Sequence, residues 1–174
     1  MIRRFITWLL SFLKFPSKPE IDLLPPEISE EERLCRAVYS PMNIDEKKGT
    51  LKSNIFRTPP DKDEVSVNRL EFTDSNFCKV LSKRNQTTQR TYHGFAIIFH
   101  QEVLSADSTT NYSPITKPEE LNIFHADIKI GYVPKLNEEL PSRFQKKVRD
   151  MHKSARFYTD PFPNTQNWEG KELQ

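Results

Sequence analysis

The chain has almost no glycine: four residues in 174, too few for the loops that bring backbone amides up to a phosphate chain. It contains no P-loop, GxGxxG, GxSxG, HExxH or EF-hand pattern, which removes the common nucleotide-binding, hydrolase, zinc-protease and calcium classes. Its two cysteines, Cys35 and Cys78, make neither a CxxC pair nor a disulfide framework. They are read as reduced thiols of an intracellular protein, and no metal site is expected. No run approaches the roughly 20 apolar residues of a membrane span. Charge of one sign is also missing: 26 basic against 24 acidic residues leave +2, so no overall field points to nucleic acid.

Proline is abundant, at thirteen residues, and implies many extended or turning segments of fixed φ. Twelve Phe, five Tyr and two Trp supply one modest core, since each aromatic buries roughly 150–250 Å². Length and composition together indicate one domain with a short appendage.

That appendage is residues 1–15, MIRRFITWLLSFLKF. Arg4, Thr7, Ser11 and Lys14 fall at 3-4-3 spacing along one line of a helix, and apolar side chains cover the rest of its circumference. Only the residues from Phe5 to Leu13 separate the flanking cations, too few to cross a bilayer. A cleaved signal peptide would need a small-x-small site, where this chain has Lys-Phe-Pro-Ser-Lys-Pro. The pattern predicts an amphipathic helix that lies in a membrane surface or in an apolar groove of a partner. Ile2, Arg3, Arg4, Phe5, Trp8, Leu9, Phe12, Leu13 and Lys14 would make the contact.

Residues 16–33 read as a Pro-rich acidic linker, with Glu20, Asp22, Glu27, Glu30, Glu31 and Glu32 against the basic segment before it. Ser29 with Glu32 forms a capping-box pattern, and a strand is favoured from Leu34 to Ser40 before Pro41. Residues 41–63 read as a long loop available to a partner. Strands are predicted over Glu64–Phe72, Thr91–Val103 and Asn122–Tyr132, the second apolar on both faces at its centre. A helix near Phe77–Leu81 has N-cap candidates in Thr73–Asn76. A second helix opens at Pro141 and buries Phe144, Val148, Met151 and Ala155. Residues 161–174 read as an irregular tail. The expected fold is α+β over residues 34–160: a small, mostly antiparallel sheet with two or three helices on one face.

Candidate chemistry is sparse. His125, Asp127 and Lys129 share one side of a strand; they are either a general base with its orienting acid or a polar face turned to solvent. His93 and His100, seven apart on the expected strand, would point to opposite faces and could not share an ion. Lys146, Lys147, Arg149 and Lys153 on the last helix could contact phosphates or lipid headgroups, or simply be solvated. Arg36 stands out in Leu34-Cys35-Arg36-Ala37-Val38, because an arginine in an apolar stretch needs a counter-ion or an anionic ligand. The counter-ion would come from Glu30–Glu32 or Asp127.

Those five residues around Arg36 resemble the strand-borne arginine that opens NAD-using ADP-ribosyltransferases and RES-type toxins. The resemblance implies Arg36 at a cofactor phosphate, Ser66 as the second element, Glu102 as the third, and NAD as cofactor.

The leading expectation is a non-catalytic accessory module, held by residues 1–15 at the inner face of the cytoplasmic membrane or in a protein complex, with no cofactor. The NAD-using enzyme is the alternative. A weak nucleic-acid binder acting through the last helix is a second alternative, although nucleic acid is a disfavoured partner.

Overall fold

A computed structural model describes residues 21–174; the amphipathic segment expected at residues 1–15 lies outside them. Eight strands and three α-helices follow β1 (Arg33–Ser40), β2 (Ile44–Asp45), β3 (Thr50–Leu51), β4 (Glu64–Arg69), α1 (Ser75–Arg84) and β5 (Thr91–Phe99). The chain continues through α2 (His100–Ser105), β6 (Thr109–Tyr112), β7 (His125–Lys129), α3 (Ser142–Ser154) and β8 (Arg156–Thr159). Six strands form one sheet in the order β6-β7-β4-β1-β5-β8, and every neighbouring pair is antiparallel. The α+β class with a mostly antiparallel sheet is thus established. No helix among the described residues is long and apolar enough to cross a membrane.

The helices lie on both faces, not on one. On the first face Leu34, Val38, Val65, Val67, Ala96, Ile98, Ala126 and Ile128 pack with Val103 of α2 and with Phe144, Val148 and Met151 of α3. Apart from the two alanines, each of these side chains contributes roughly 1.5–3 kcal/mol on burial. Ile44, Ile55 and Phe56 join this core, so part of the 41–63 loop is fixed to the domain. β5 and β1 are apolar on their second side as well, and that side must also be covered. Cys35, Phe95 and Ile97 accordingly meet Cys78 of α1 and Leu173 of the C-terminal segment. α1 begins at Asp74, whose side chain accepts from Phe77 N at 2.7 Å.

Some element ends differ from expectation. Ser29 to Glu32 makes only a turn, with Glu32 N donating to Ser29 O. The long strand expected to reach Val103 stops at Phe99. α2 takes over because Glu102 Oε2 accepts from Phe99 N at 2.9 Å and caps the new helix. β7 is confined to its five central residues.

The C-terminal residues 161–174 contain no helix or strand, yet they are anchored. Lys79 Nζ donates to Phe162 O, Thr165 Oγ1 and Asn167 O, and lies 2.8 Å from Asp160 Oδ2, both side chains fully buried. With three protons already directed to these oxygens, its contact with the carboxylate is ionic. Gly94 makes this side close-packed: a Cβ there would stand 2.1 Å from the Tyr158 carbonyl oxygen, at a φ of +156°. Gly94→Ala is expected to push β8 from the sheet edge and cost roughly 1–3 kcal/mol. A urea midpoint equal to wild type would contradict this packing.

Candidate functional site

The second face is only half covered. α1 and the C-terminal segment pack over β1 and β5, while the polar side of β4 and β7 is left as the floor of a cleft of about 680 Å³. The cleft exists because the sheet splits. β1 and β4 pair only at Leu34↔Arg69 and Cys35↔Asn68, and beyond these positions the strands part.

Arg36 spans the split. Its Nε donates to Ile55 O at 2.6 Å and its Nη1 to Ser66 O at 2.9 Å, replacing the missing ladder between the strands. Among the described residues Nη2 has no acceptor, and Arg36 takes part in none of the ion pairs. Of the acids expected to neutralise it, Glu32 is paired with Arg69 and Asp127 is held by Ser113 and His125, while Glu30 and Glu31 are exposed and form no ion pair with it. Burial, opposed by Tyr39 and aided by the Arg90 charge, lowers the Arg36 pKa to about 10. The group is therefore a cation at neutral pH in a place that disfavours cations.

Arg90 forms the adjoining wall. Its guanidinium lies 5.1 Å over the Tyr39 ring, its Nε donates to Asn85 O at 3.0 Å, and its Nη groups have no acceptor among the described residues. Tyr39 is itself fixed by donating to Ser82 O at 3.0 Å, and burial raises its pKa. Lys62 and Arg84 also line the cleft; Glu64, Glu119 and Glu120 supply carboxylates. None of these three forms an ion pair with Arg36.

The floor holds a small polar cluster. Ser113 Oγ donates to Asp127 Oδ2 at 2.6 Å. His125 Nδ1 donates to Ser113 O at 2.8 Å, and its Nε2 lies 3.7 Å from Asp127 Oδ1. The histidine and the carboxylate sit beneath Ser113, so this face is not the solvent-facing one that strand alternation suggests. The serine proton points to the acid instead of a base, an arrangement that orients His125 and does not make Ser113 a nucleophile.

Arg36 and Ser66 thus share the cleft, Ser66 being exposed on its floor. Glu102 does not line it; its carboxylate caps α2. His93 stacks on Phe157 at 6.1 Å and His100 Nδ1 faces Ser29 O, so these two do not converge with His125. Cys35 and Cys78, distant in sequence, are buried together in the second core, and burial pushes the Cys35 thiol up.

The basic helix divides into engaged and free groups. Lys146 pairs with Asp150 at 2.5 Å and Lys147 with Asp107 at 2.9 Å, and the Lys147 hydrogen bond holds the Asp107 carboxyl below its usual range. Arg149 and Lys153 are exposed and pair with no acid among the described residues. No signal marked Arg90, which follows a polar turn; its place at the cleft comes from the Thr87↔Arg90 bridge.

No protein-family model, curated protein or solved structure matches this chain.

Proposed function

We propose that the protein is a non-catalytic binding module that grips an anionic group of its ligand in the cleft between β1 and β4. The observation that carries this reading is Arg36: a half-buried guanidinium that lines the cleft, with no carboxylate partner among the described residues. Such a charge is costly unless an anion compensates it. The NAD-using alternative is less well supported, because Glu102 is engaged at α2 instead of standing beside Arg36 and Ser66.

In this reading the first fifteen residues bring the module to its place of work at the inner face of the cytoplasmic membrane. Their bulky apolar face and cationic line suit an anionic lipid surface, where each basic residue adds about 1 kcal/mol. The body is built to hold that connection. Arg69 donates to the carbonyls of Pro25 and Glu27, and Leu24 N donates to Tyr112 Oη at 3.0 Å, so the chain is clamped where it enters the domain.

Co-sedimentation with phosphatidylserine-containing vesicles tests the anchor. The full chain is expected in the pellet and a chain lacking residues 1–15 in the supernatant; equal pelleting of the two would remove this part of the reading.

A further inference from the structure

The cleft geometry points to a particular anion: we propose that it binds a small phosphomonoester, with the phosphoryl group held between Arg36 and Arg90. This rests on the reading of the cleft as an anion site and adds which anion it takes. Arg36 offers its Nη2 edge, because Nε and Nη1 are used on Ile55 O and Ser66 O. Arg90 offers both Nη groups, because only its Nε is used, on Asn85 O. Tyr39 lies under Arg90 and, through its bond to Ser82 O, is fixed against α1. Both forks are therefore held by contacts that do not involve the ligand.

Charge selects phosphate over carboxylate. Arg36 and Arg90 line the same cleft, and the Arg90 guanidinium lies over the ring of Tyr39, three residues along β1 from Arg36. A carboxylate neutralises one of them, whereas a phosphomonoester carries about −1.5 to −2 at pH 7 and neutralises both. Its three oxygens also match two planar guanidinium forks.

The rest of the cleft limits what the phosphoryl group can be attached to. Glu119 and Glu120 also line it and repel polyanions such as nucleic acid or a triphosphate chain. Their carboxylates accept hydrogen bonds, so the ligand carries hydroxyl or ammonium groups beyond its phosphate. At about 680 Å³ the cleft has the size of small-molecule sites, roughly 300–1,000 Å³.

Titration calorimetry on the full chain at low salt, with O-phosphoethanolamine, inorganic phosphate and acetate as probes, tests the assignment. O-phosphoethanolamine is expected to bind one per chain, more tightly than inorganic phosphate, with acetate far weaker. Arg90→Gln should weaken both phosphate probes by roughly tenfold or more, the range expected for hydrogen bonds to a charged group. The Arg90 side chain is hydrogen-bonded only to the Asn85 carbonyl and otherwise stacks on Tyr39, and its backbone bridge to Thr87 is untouched by substitution, so this variant keeps the fold, whereas an Arg36 variant loses a bridge between strands. The double change Glu119→Gln with Glu120→Gln should erase the preference for O-phosphoethanolamine over inorganic phosphate. Acetate binding as tightly as phosphate at an Arg90-dependent site would overturn the phosphoryl assignment and leave the anion reading standing. Phosphate binding untouched by Arg90→Gln, or tighter for inorganic phosphate than for the ester, would also overturn the assignment. Absence of binding by all three anions would overturn both.

Discussion

Glu32→Gln is expected to lower the free energy of unfolding by about 3–5 kcal/mol, the usual result of leaving a buried charge without its partner. Arg69 and Glu32 are both almost wholly inaccessible, with Nε 2.6 Å from Oε1 and Nη2 3.0 Å from Oε2. The guanidinium also lies over the rings of Phe72, 4.7 Å away, and Tyr112, 5.1 Å away. Glutamine keeps the volume and one acceptor but removes the charge that neutralises Arg69. Urea unfolding at constant m-value reads the change. The double variant Glu32→Met with Arg69→Met should recover part of the loss, because neither charge is then stranded. A drop of less than about 1 kcal/mol for Glu32→Gln, the range of a solvent-exposed pair, would show that the pair is not buried as described. The variant also bears on function: Arg69 holds the carbonyls of Pro25 and Glu27, so its loosening frees the entry segment from the body.

Lys79→Met should cost a similar amount, about 3–5 kcal/mol, and should in addition release one end of the chain. Lys79 is the common anchor of Phe162, Thr165 and Asn167 and the ion partner of Asp160. Without it the carboxylate is left buried and charged, and the segment over the second core loses its central fixing point. Trp168, packed on Phe95 at 5.1 Å, should then emit at longer wavelength, and limited proteolysis should cut within residues 161–174 before the rest of the domain. Pairing the change with Asp160→Asn should restore part of the stability. If the C-terminal segment of Lys79→Met resisted protease as well as wild type, the anchoring role would be refuted.

How much of this was readable in the sequence depended on whether the relevant contacts were local. The helix opening at Pro141 with its Phe144–Val148–Met151 stripe and the apolar centre of β5 follow from periodicity alone, and both are present. β6 and β8 escaped because Thr109–Tyr112 and Arg156–Thr159 are short edge strands, defined by pairing with β7 and β5 and not by their own pattern. The two apolar sides of β5 already call for cover on each face, but that α1 and the C-terminal segment supply it on the second face, over β1 as well, is a matter of tertiary packing. The buried ions illustrate the same limit. Glu32 reads locally as a capping residue, yet its partner lies thirty-seven positions away; Lys79 reads as the polar side of a helix, yet it is fully buried beneath a distant segment.

At the cleft, Arg36 was legible because an arginine among Leu, Cys, Ala and Val raises the question of its counter-ion. The answer, a bridge between parted strands with one end left over, depends on the brief pairing of β1 with β4. The His125–Asp127 spacing was visible too, whereas Ser113, twelve residues before the histidine, enters only through tertiary structure. Arg90 carried no signal of its own and is placed by a tight turn.

Side-chain NMR of the guanidinium groups during titration with O-phosphoethanolamine tests the role of Arg36 most directly. Arg36 and Arg90 are expected to shift together along one saturating curve, while Arg69, enclosed with Glu32, stays still. An Arg36 signal that does not move at ligand levels that shift other arginines would contradict it.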